Sequence, residues 1–217
     1  GSGLVIYEDG EYLSDHVVIG SSGSGGSLAP FGRTSWGNVA CRDLIYQKLV
    51  RSDSLPGSPT QGQMFLEMAK SVEEKDELTY EITLWDNIYD SAGNQFKASD
   101  AVFSIETYMA TGQAGAMSRL DHLEVVDDYT LIWHCSSPFG PGEQARQMSN
   151  CCMITQASYE ASPDGMTTNP VGTGPYKIKE LDPASKVVLE VNEDFWMRKL
   201  DEADREKLWV YSYQNVK

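Results

Sequence analysis

The sequence predicts an α+β fold, a mixed α/β arrangement with mixed β-sheets, and three observations support this prediction. Residues 78–85 and 129–135 alternate apolar and polar side chains, as strands with one buried face do. Residues 36–50 and 100–109 instead repeat apolar side chains at helical spacing. Strands and helices follow one another without the regular spacing of βαβ units, so a doubly wound parallel sheet is not expected.

Length and composition are those of a folded chain with an acidic surface. Its 217 residues are 41% hydrophobic and 10% aromatic, which are ordinary values. The sequence has no run of about 18 apolar residues, the length that a membrane-spanning helix needs. The formal net charge is −15, from 32 acidic and 17 basic residues, and the basic residues are scattered singly. Such a surface repels phosphate backbones, so no nucleic-acid partner is expected.

The N-terminal elements are predicted to be a strand, a loop and a helix. The apolar run His16 to Gly20 is typical of a strand, and the Gly/Ser-rich segment Ser21 to Ser27 that follows it is typical of a loop. A helix is predicted from Trp36 to about Val50, because apolar residues recur there at four-residue spacing. Those residues are Cys41, Ile45 and Leu49.

The central elements alternate between helix and strand. A Ser-, Pro- and Gly-rich connection over 52–62 leads into a short predicted helix, Met64 to Lys70. A strand over Leu78 to Trp85 comes next, and a helix is predicted from Asp100 to about Met109, with Ser99 as its N-cap. The inward face of the strand is expected to carry Tyr80, Ile82 and Leu84.

The C-terminal half is predicted to consist mainly of short strands. The elements expected are strands His122 to Val126 and Tyr129 to Cys135, a helix Glu143 to Met148, strands Tyr176 to Lys179 and Val187 to Val191, and a final strand Leu208 to Tyr213. The first two strands flank Asp127-Asp128, a pair typical of a hairpin turn.

The sequence contains no recognised catalytic or cofactor motif, so we expect neither an enzyme nor a cofactor. The Gly/Ser-rich segment lacks the lysine of a phosphate-binding loop and the G-x-S-x-G spacing of a nucleophile elbow. The histidines His16, His122 and His134 lack the local spacing of a zinc site, so no metal is expected. His122 and His134 fall on neighbouring predicted strands, which leaves a contact between these two side chains open.

The four cysteines allow two interpretations. Cys41 lies on the apolar face of a predicted helix and Cys135 on the inner face of a predicted strand, as small core residues do. Cys151 and Cys152 are adjacent, and one of them is a candidate partner for Cys135. A chain of this size does not need disulfides for stability. The sequence therefore leaves open whether all four thiols are free or one pair is bonded.

Four segments carry a resemblance to a known family. They are VVIGSSGSGGSLAPFG from Val17 with CRDLIYQKLVRSD from Cys41, MAKSVEEKDELTYEITLWDNIYDSAGNQFKASDAVFS from Met68, VVDDYTLIWHCSSPF from Val125 and NPVGTGPYKIKELDPASKVVLEVNEDFW from Asn169. Together they resemble the family 5 extracellular solute-binding proteins, the dipeptide, oligopeptide and nickel binders of ABC importers. The last segment is the most specific, because G-T-G-P-Y followed by two strands and N-x-[DE]-[FY]-W is rarely met by chance. Departures from the family pattern include Ala29 for aspartate and Val72 for tryptophan.

The resemblance implies a periplasmic-binding-protein-like fold of type II, in which two lobes clamp a ligand. It assigns residues 4–52 and 169–217 to one discontinuous lobe and residues 53–168 to a subdomain inserted in the same half. The second lobe of the family is missing from the sequence, so we expect an engineered fragment or one piece of a split protein. Residues 1–3 are interpreted as a cloning remnant.

The same resemblance implies a function in capture. The expected role is the substrate-binding component of an ABC importer, which captures short peptides outside the membrane and delivers them to a permease. Alternatives are a binder of nickel chelate, heme or sugar, and a peptide-sensing receptor module. The expected partners are the peptide, the permease subunits and the missing second lobe, for a monomer. The expected location is the outer face of the membrane as a lipoprotein, attached only through a removed lipid anchor, or the periplasm.

The candidate ligand-binding residues are Ser24, Gly25, Gly26, Ser27 and Trp36. In the family the segment after the first strand runs along the cleft, where peptide main chain pairs with protein backbone, as in strand addition. Small residues allow that close approach, although a plain flexible loop has the same composition. The Gly172 to Tyr176 turn is interpreted as structural.

Overall fold

The computed structural model describes residues 7–8, 11–12, 16–20, 27–32, 36–53, 56–182 and 186–208. The helices in this part are α1 (Trp36–Ile45), α2 (Ala98–Tyr108), α3 (Glu143–Met148), α4 (Gln156–Ala161) and α5 (Glu202–Arg205). The strands are β1 (Tyr7–Glu8), β2 (Glu11–Tyr12), β3 (His16–Gly20), β4 (Val50–Ser52), β5 (Met64–Leu66), β6 (Ala69–Asp76), β7 (Thr79–Leu84), β8 (Leu120–Asp127), β9 (Thr130–Cys135), β10 (Tyr176–Asp182) and β11 (Lys186–Val191). None of the helices in these ranges is both long and apolar enough to cross a membrane.

Two sheets organise the described residues. One has four strands in the order β6-β7-β9-β8, and the other has three in the order β10-β11-β3. Two-stranded pairs are formed by β1 with β2 and by β4 with β5. All these pairings are antiparallel, and a parallel bridge joins Leu66 to Leu208. Antiparallel sheets with interspersed helices confirm the predicted α+β class.

The four-stranded sheet buries one face, as the alternating pattern of β7 predicts. Tyr80, Ile82 and Leu84 are buried, while the residues between them are partly exposed. On the adjacent strand β9, Leu131 and Trp133 are fully buried in the same core. Helix α2 contacts β8 and β9. The period-2 pattern therefore identified both the strands and their inner faces.

Residues 64–66 and 69–70 lie in two strands, and the helix predicted over 64–70 is absent from this described stretch. Met64–Leu66 is β5, which pairs with β4 in a register that places Val50 opposite Leu66. The backbone of Met68 and Ala69 then bonds to the carbonyls of Lys48 and Leu49, at 3.1 and 2.9 Å. These bonds to a segment about twenty residues away override the local preference for a helix. They also explain why α1 ends at Ile45 and not at Val50, because the backbone of Lys48 and Leu49 is hydrogen-bonded to this later segment.

Helix α2 begins one residue before the predicted Ser99 cap. Lys97 is the N-cap, and the Asp100 carboxylate accepts a hydrogen bond from the Lys97 backbone N–H at 2.8 Å. Its other oxygen accepts from the Gln156 N–H at 2.9 Å. The prediction of Ser99 as the cap is therefore wrong, because a carboxylate in the first turn satisfies the free backbone donor more directly.

The strand that precedes the Gly/Ser-rich segment in the sequence shares a sheet with the strand pair after Gly172. Strand β3 pairs with β11 in a register that places Val17 opposite Leu189. The four-stranded sheet, in contrast, lies wholly within residues 53–168. The division into a discontinuous lobe and an inserted subdomain stays a prediction. Of the predicted final strand only Leu208 is described, and positions 209–213 lie outside the described residues.

All four cysteines are free and buried. Cys41 and Cys135 are core residues, as predicted, and of the two open interpretations the one with free thiols is the one found.

Candidate functional site

A cavity of about 180 Å³ lies between the segment that follows Ser27, the end of α1 and the segment after α3. Its lining residues come from four regions of the chain. They are Gly32, Arg42, Asp43, Lys48, Tyr108, Gln113, Asn150 and Cys152. The cavity therefore adjoins the stretch that the Gly/Ser loop leads into.

Arg42 links α1 to that stretch. Its guanidinium donates to the backbone carbonyls of Pro30 and, at 3.3 Å, Gly32. Its Nε–H is buried and has no hydrogen-bond partner among the described residues. Arg42 thus fixes one wall of the cavity while keeping unused donor capacity.

The segment 28–32 is anchored from both sides. The Leu28 N–H donates to the Thr167 carbonyl at 3.1 Å, and the Tyr46 hydroxyl donates to the Leu28 carbonyl at 2.9 Å. Leu28 is buried, and the Phe31 ring packs against the Tyr159 ring with centroids 5.6 Å apart. The wall of the cavity next to Gly32 is therefore part of the packed core.

A buried ion pair supports the Asp43 side of the cavity. The Arg51 Nε donates to Glu67 at 2.8 Å, and its Nη1 lies 3.2 Å from Asp43. The other Glu67 oxygen accepts from the Lys48 N–H at 2.8 Å, and Glu67 is fully buried. Burial alone would lower the pKa of Arg51, but the Glu67 and Asp43 carboxylates raise it above its ordinary value. The Asp43 charge is therefore engaged by Arg51.

The opposite wall is built from Tyr108, Asn150 and Cys152, and Cys151 lies buried next to it in the chain. The Asn150 side-chain amide donates to the Ala116 carbonyl at 2.9 Å. Burial raises the pKa of the Tyr108 hydroxyl, and the neighbouring Cys151 and Cys152 raise it further. The Cys151 thiol is fully enclosed, contacts the Ser104 carbonyl at 3.4 Å, and has its pKa raised by burial. At neutral pH both the phenol and this thiol are therefore neutral donors.

Because burial raises the pKa of the Cys41 thiol, the protein is expected to become less stable at alkaline pH. Burial raises the pKa of Cys41 to about 11. Between about pH 9 and 11 the unfolded chain loses this proton and the folded chain keeps it, so the free energy of unfolding falls as pH rises, by at most about 1.4 kcal/mol per pH unit for one such group. Urea unfolding at pH 8, 9 and 10 measures this slope, and Cys41→Ala is expected to make it shallower. If the free energy of unfolding falls with pH as steeply in Cys41→Ala as in the parent, the Cys41 thiol is not the cause of this pH dependence.

The G-T-G segment holds the end of α1 in place. The Gly174 N–H donates to the Ile45 carbonyl at 2.8 Å, and Thr173 donates to the buried Gln47 amide oxygen at 2.9 Å. The same oxygen accepts from the Trp196 indole N–H at 2.6 Å. The structural interpretation of this turn is confirmed, and the contacts fix the part of the chain that carries Arg42 and Lys48.

The structure leaves most of the predicted ligand residues untested. Ser24, Gly25 and Gly26 lie outside the described residues. The Ser27 hydroxyl accepts from the Ala29 N–H at 3.1 Å and is not part of the cavity lining. Trp36 begins α1, and its side chain lies outside the described part.

Sequence reasoning missed the polar residues that line the cavity. Arg42 and Lys48 lie in one segment of the chain and Asn150 and Cys152 in another, distant one, and the resemblance assigned no role to any of them. The available signal was two cations within one predicted helix of a strongly acidic chain.

The two histidines left open by the sequence do meet. His122 and His134 are cross-strand partners whose rings stack with centroids 4.2 Å apart. His122 contacts Asp121 at 2.6 Å, and His134 contacts Glu124 at 2.9 Å. Within the described ranges, no group of three potential ligands is arranged to hold a metal ion.

The antiparallel sheets with interspersed helices, the packed G-T-G turn and the cavity beside Gly32 are parts of a periplasmic-binding-protein-like fold of type II. Residues 63–216 match the model of the bacterial extracellular solute-binding proteins, family 5, middle region. The chain belongs to this family.

Solved structures share the fold at low sequence identity. MoaA from A. tumefaciens R10, in complex with mannopinic acid, is 22% identical with a TM-score of 0.71, over 80% of this chain and 36% of that chain. The oligopeptide-binding protein AppA from Bacillus subtilis, in complex with a nonapeptide, is 19% identical with a TM-score of 0.66, over 82% and 36%. These likenesses confirm the predicted type II fold.

The match to a curated relative also covers most of this chain but only part of the relative. The nickel-binding protein NikA of Staphylococcus aureus (strain NCTC 8325 / PS 47) is 26% identical over 152 residues, which are 70% of this chain and 30% of the relative. The chain thus spans about a third of the length of the relatives it matches.

Proposed function

We propose that the chain is part of the substrate-binding component of an ABC importer, which captures short peptides outside the membrane and delivers them to a permease. Family membership supports the class of receptor. The observation that carries the proposal is the cavity beside Gly32, which adjoins the stretch that the resemblance assigns to the ligand cleft. Peptide main chain pairs there with protein backbone, which gives affinity without side-chain selectivity.

The proposed mechanism is closure of two lobes on the peptide. Relatives are more than twice as long as this chain, which leaves room for a second lobe in the longer receptor. A hinge motion encloses the ligand between the lobes, and the closed form docks on the permease. Energy for transport comes from the importer's ATPases, so the receptor itself needs no nucleotide. We place the receptor outside the membrane, as a monomer held by a lipid anchor or free in the periplasm.

Calorimetry with tripeptides tests this proposal. The longer receptor that includes this chain and the 217-residue chain are each titrated with a random tripeptide pool. The longer receptor is expected to bind, and the chain alone to bind weakly or not at all, because half of the burial surface comes from the second lobe. An equimolar pool of free amino acids is the control ligand, and it is expected to give no heat with either protein.

A nickel chelate is a second candidate ligand. The observation that favours it is the 26% identity to the nickel-binding protein NikA of Staphylococcus aureus. A solved structure of the same protein contains nickel bound by two L-histidine molecules. Titration of the longer receptor with nickel–histidine separates the candidates: heat with this complex and none with tripeptides would favour the chelate.

A further inference from the structure

Two cations meet in the wall of the cavity. Arg42 and Lys48 both line it, and both are partly buried. Within the described part of the chain, neither side chain has a carboxylate within ion-pair distance. Arg42 lies on α1 and Lys48 three residues beyond its end, so both cations come from one short stretch of the chain.

The carboxylate in the lining is already engaged. Asp43 lies 3.2 Å from Arg51, a third cation in the same region. Arg51 in turn shares Glu67 with the Lys48 backbone N–H, so both acids belong to the support beneath the cavity. The region thus holds three cations against two acids, which leaves one net positive charge beside the cavity. Two like charges beside a partly buried cavity repel each other, and a bound anion relieves that repulsion.

The lining also supplies neutral donors. A guanidinium has five N–H donors, and Arg42 uses two of them on the Pro30 and Gly32 carbonyls. Tyr108 keeps its proton at neutral pH, and Gln113 and Asn150 contribute side-chain amides. Such a set of cations and donors around a small cavity matches the acceptor oxygens of a carboxylate.

We propose that this cavity receives an anionic group of the captured solute, a carboxylate held by the charges of Lys48 and Arg42. The inference rests on the proposed capture function and narrows its substrate to solutes that carry such a group. For a short peptide that group is the terminal carboxylate or an acidic side chain, and for a metal complex it is an anionic chelator. A neutral sugar does not fit this site.

The test is a pair of titrations of the 217-residue chain at pH 7, followed by ¹H–¹⁵N NMR. Acetate replaces chloride at constant ionic strength, and acetamide, its neutral isostere, is added at the same concentrations. The reporters are the Arg42 Nε–H and Asn150 side-chain amide signals. Acetate is expected to shift both signals saturably, and acetamide is expected to leave them in place.

Matched variants assign the effect to the cavity. Lys48→Met is expected to weaken acetate binding about tenfold, the size of one charge-assisted hydrogen bond. Lys199→Met removes a lysine charge from an exposed site elsewhere, and it is expected to change the affinity for acetate less than twofold. Arg42→Gln, with Arg146→Gln as its exposed control, repeats the comparison at the second cation. Since Lys48→Met leaves the Arg42 contacts to Pro30 and Gly32 intact, it stays informative even if Arg42→Gln loosens that segment.

Three outcomes would each overturn the inference. They are equal shifts with acetate and acetamide, no saturable shift with acetate, and equal weakening by Lys48→Met and Lys199→Met. Trialanine and trialanine amide distinguish a peptide terminus from other anions, since only the former has a terminal carboxylate. A longer receptor that captures no peptide or chelate, beside a chain that still selects acetate, would sink the capture proposal and leave the anion site standing.

Discussion

Gly172→Ala is expected to destabilise the chain by more than about 3 kcal/mol, a large share of the stability of a typical domain. A Cβ at this position would lie 2.1 Å from the Ile45 carbonyl oxygen and 2.8 Å from its carbon. Both atoms are backbone at the end of α1, so no side chain can rotate away. Urea unfolding followed by circular dichroism measures the loss.

Gly115→Ala is the matched control for that substitution. No atom lies within 4 Å of a Cβ built at Gly115, and its φ is not positive. This variant is expected to be more stable than the parent by up to about 1 kcal/mol, because alanine lowers the conformational entropy of the unfolded chain. If Gly172→Ala unfolds at the same urea concentration as Gly115→Ala, the close packing of the G-T-G segment on α1 is refuted.

Glu67→Ala is expected to cost about 3–5 kcal/mol, because it leaves the buried Arg51 guanidinium without its main partner. The Arg51–Glu67 contact is 2.8 Å long, and Glu67 is fully buried. The same change removes the acceptor of the Lys48 N–H. The midpoint of urea unfolding at pH 7 gives the loss in stability.

An exposed pair provides the control for Glu67. Glu73 lies 3.2 Å from Lys75 on the surface, and Glu73→Ala is expected to change stability by less than about 0.5 kcal/mol. The double replacement Arg51→Met with Glu67→Leu is expected to recover much of the loss, since two apolar groups leave no buried charge. A Glu67→Ala protein as stable as Glu73→Ala would contradict the role of this ion pair.

The fold was largely predictable wherever the local sequence of a segment determines its secondary structure. The alternation of Tyr80, Ile82 and Leu84 identified β7 and its buried face, because the side-chain period of a strand is visible locally. Residues 64–70 were predicted wrongly, since their strands depend on bonds to Lys48 and Leu49 that no local pattern encodes. Gly172 carried a signal only through its motif, because its requirement is space beside Ile45 and not an unusual φ.

The candidate site was much less predictable than the fold. Its lining joins Gly32, Arg42, Tyr108 and Asn150, which are brought together only by the packing of α1, α2 and the segment after α3. Arg42 and Lys48 are ordinary surface cations when seen in sequence. Their significance comes from a shared cavity and from acids that bind Arg51 instead, and both are properties of the assembled structure.

The tripeptide titration tests the central claim most directly, that this chain forms one side of a capture site. The longer receptor is predicted to bind with a dissociation constant of about 1 μM, and the 217-residue chain with one no tighter than about 1 mM, a difference of about 4 kcal/mol. Binding of the chain alone in the micromolar range, or a longer receptor that gives no heat with peptides, would contradict this account.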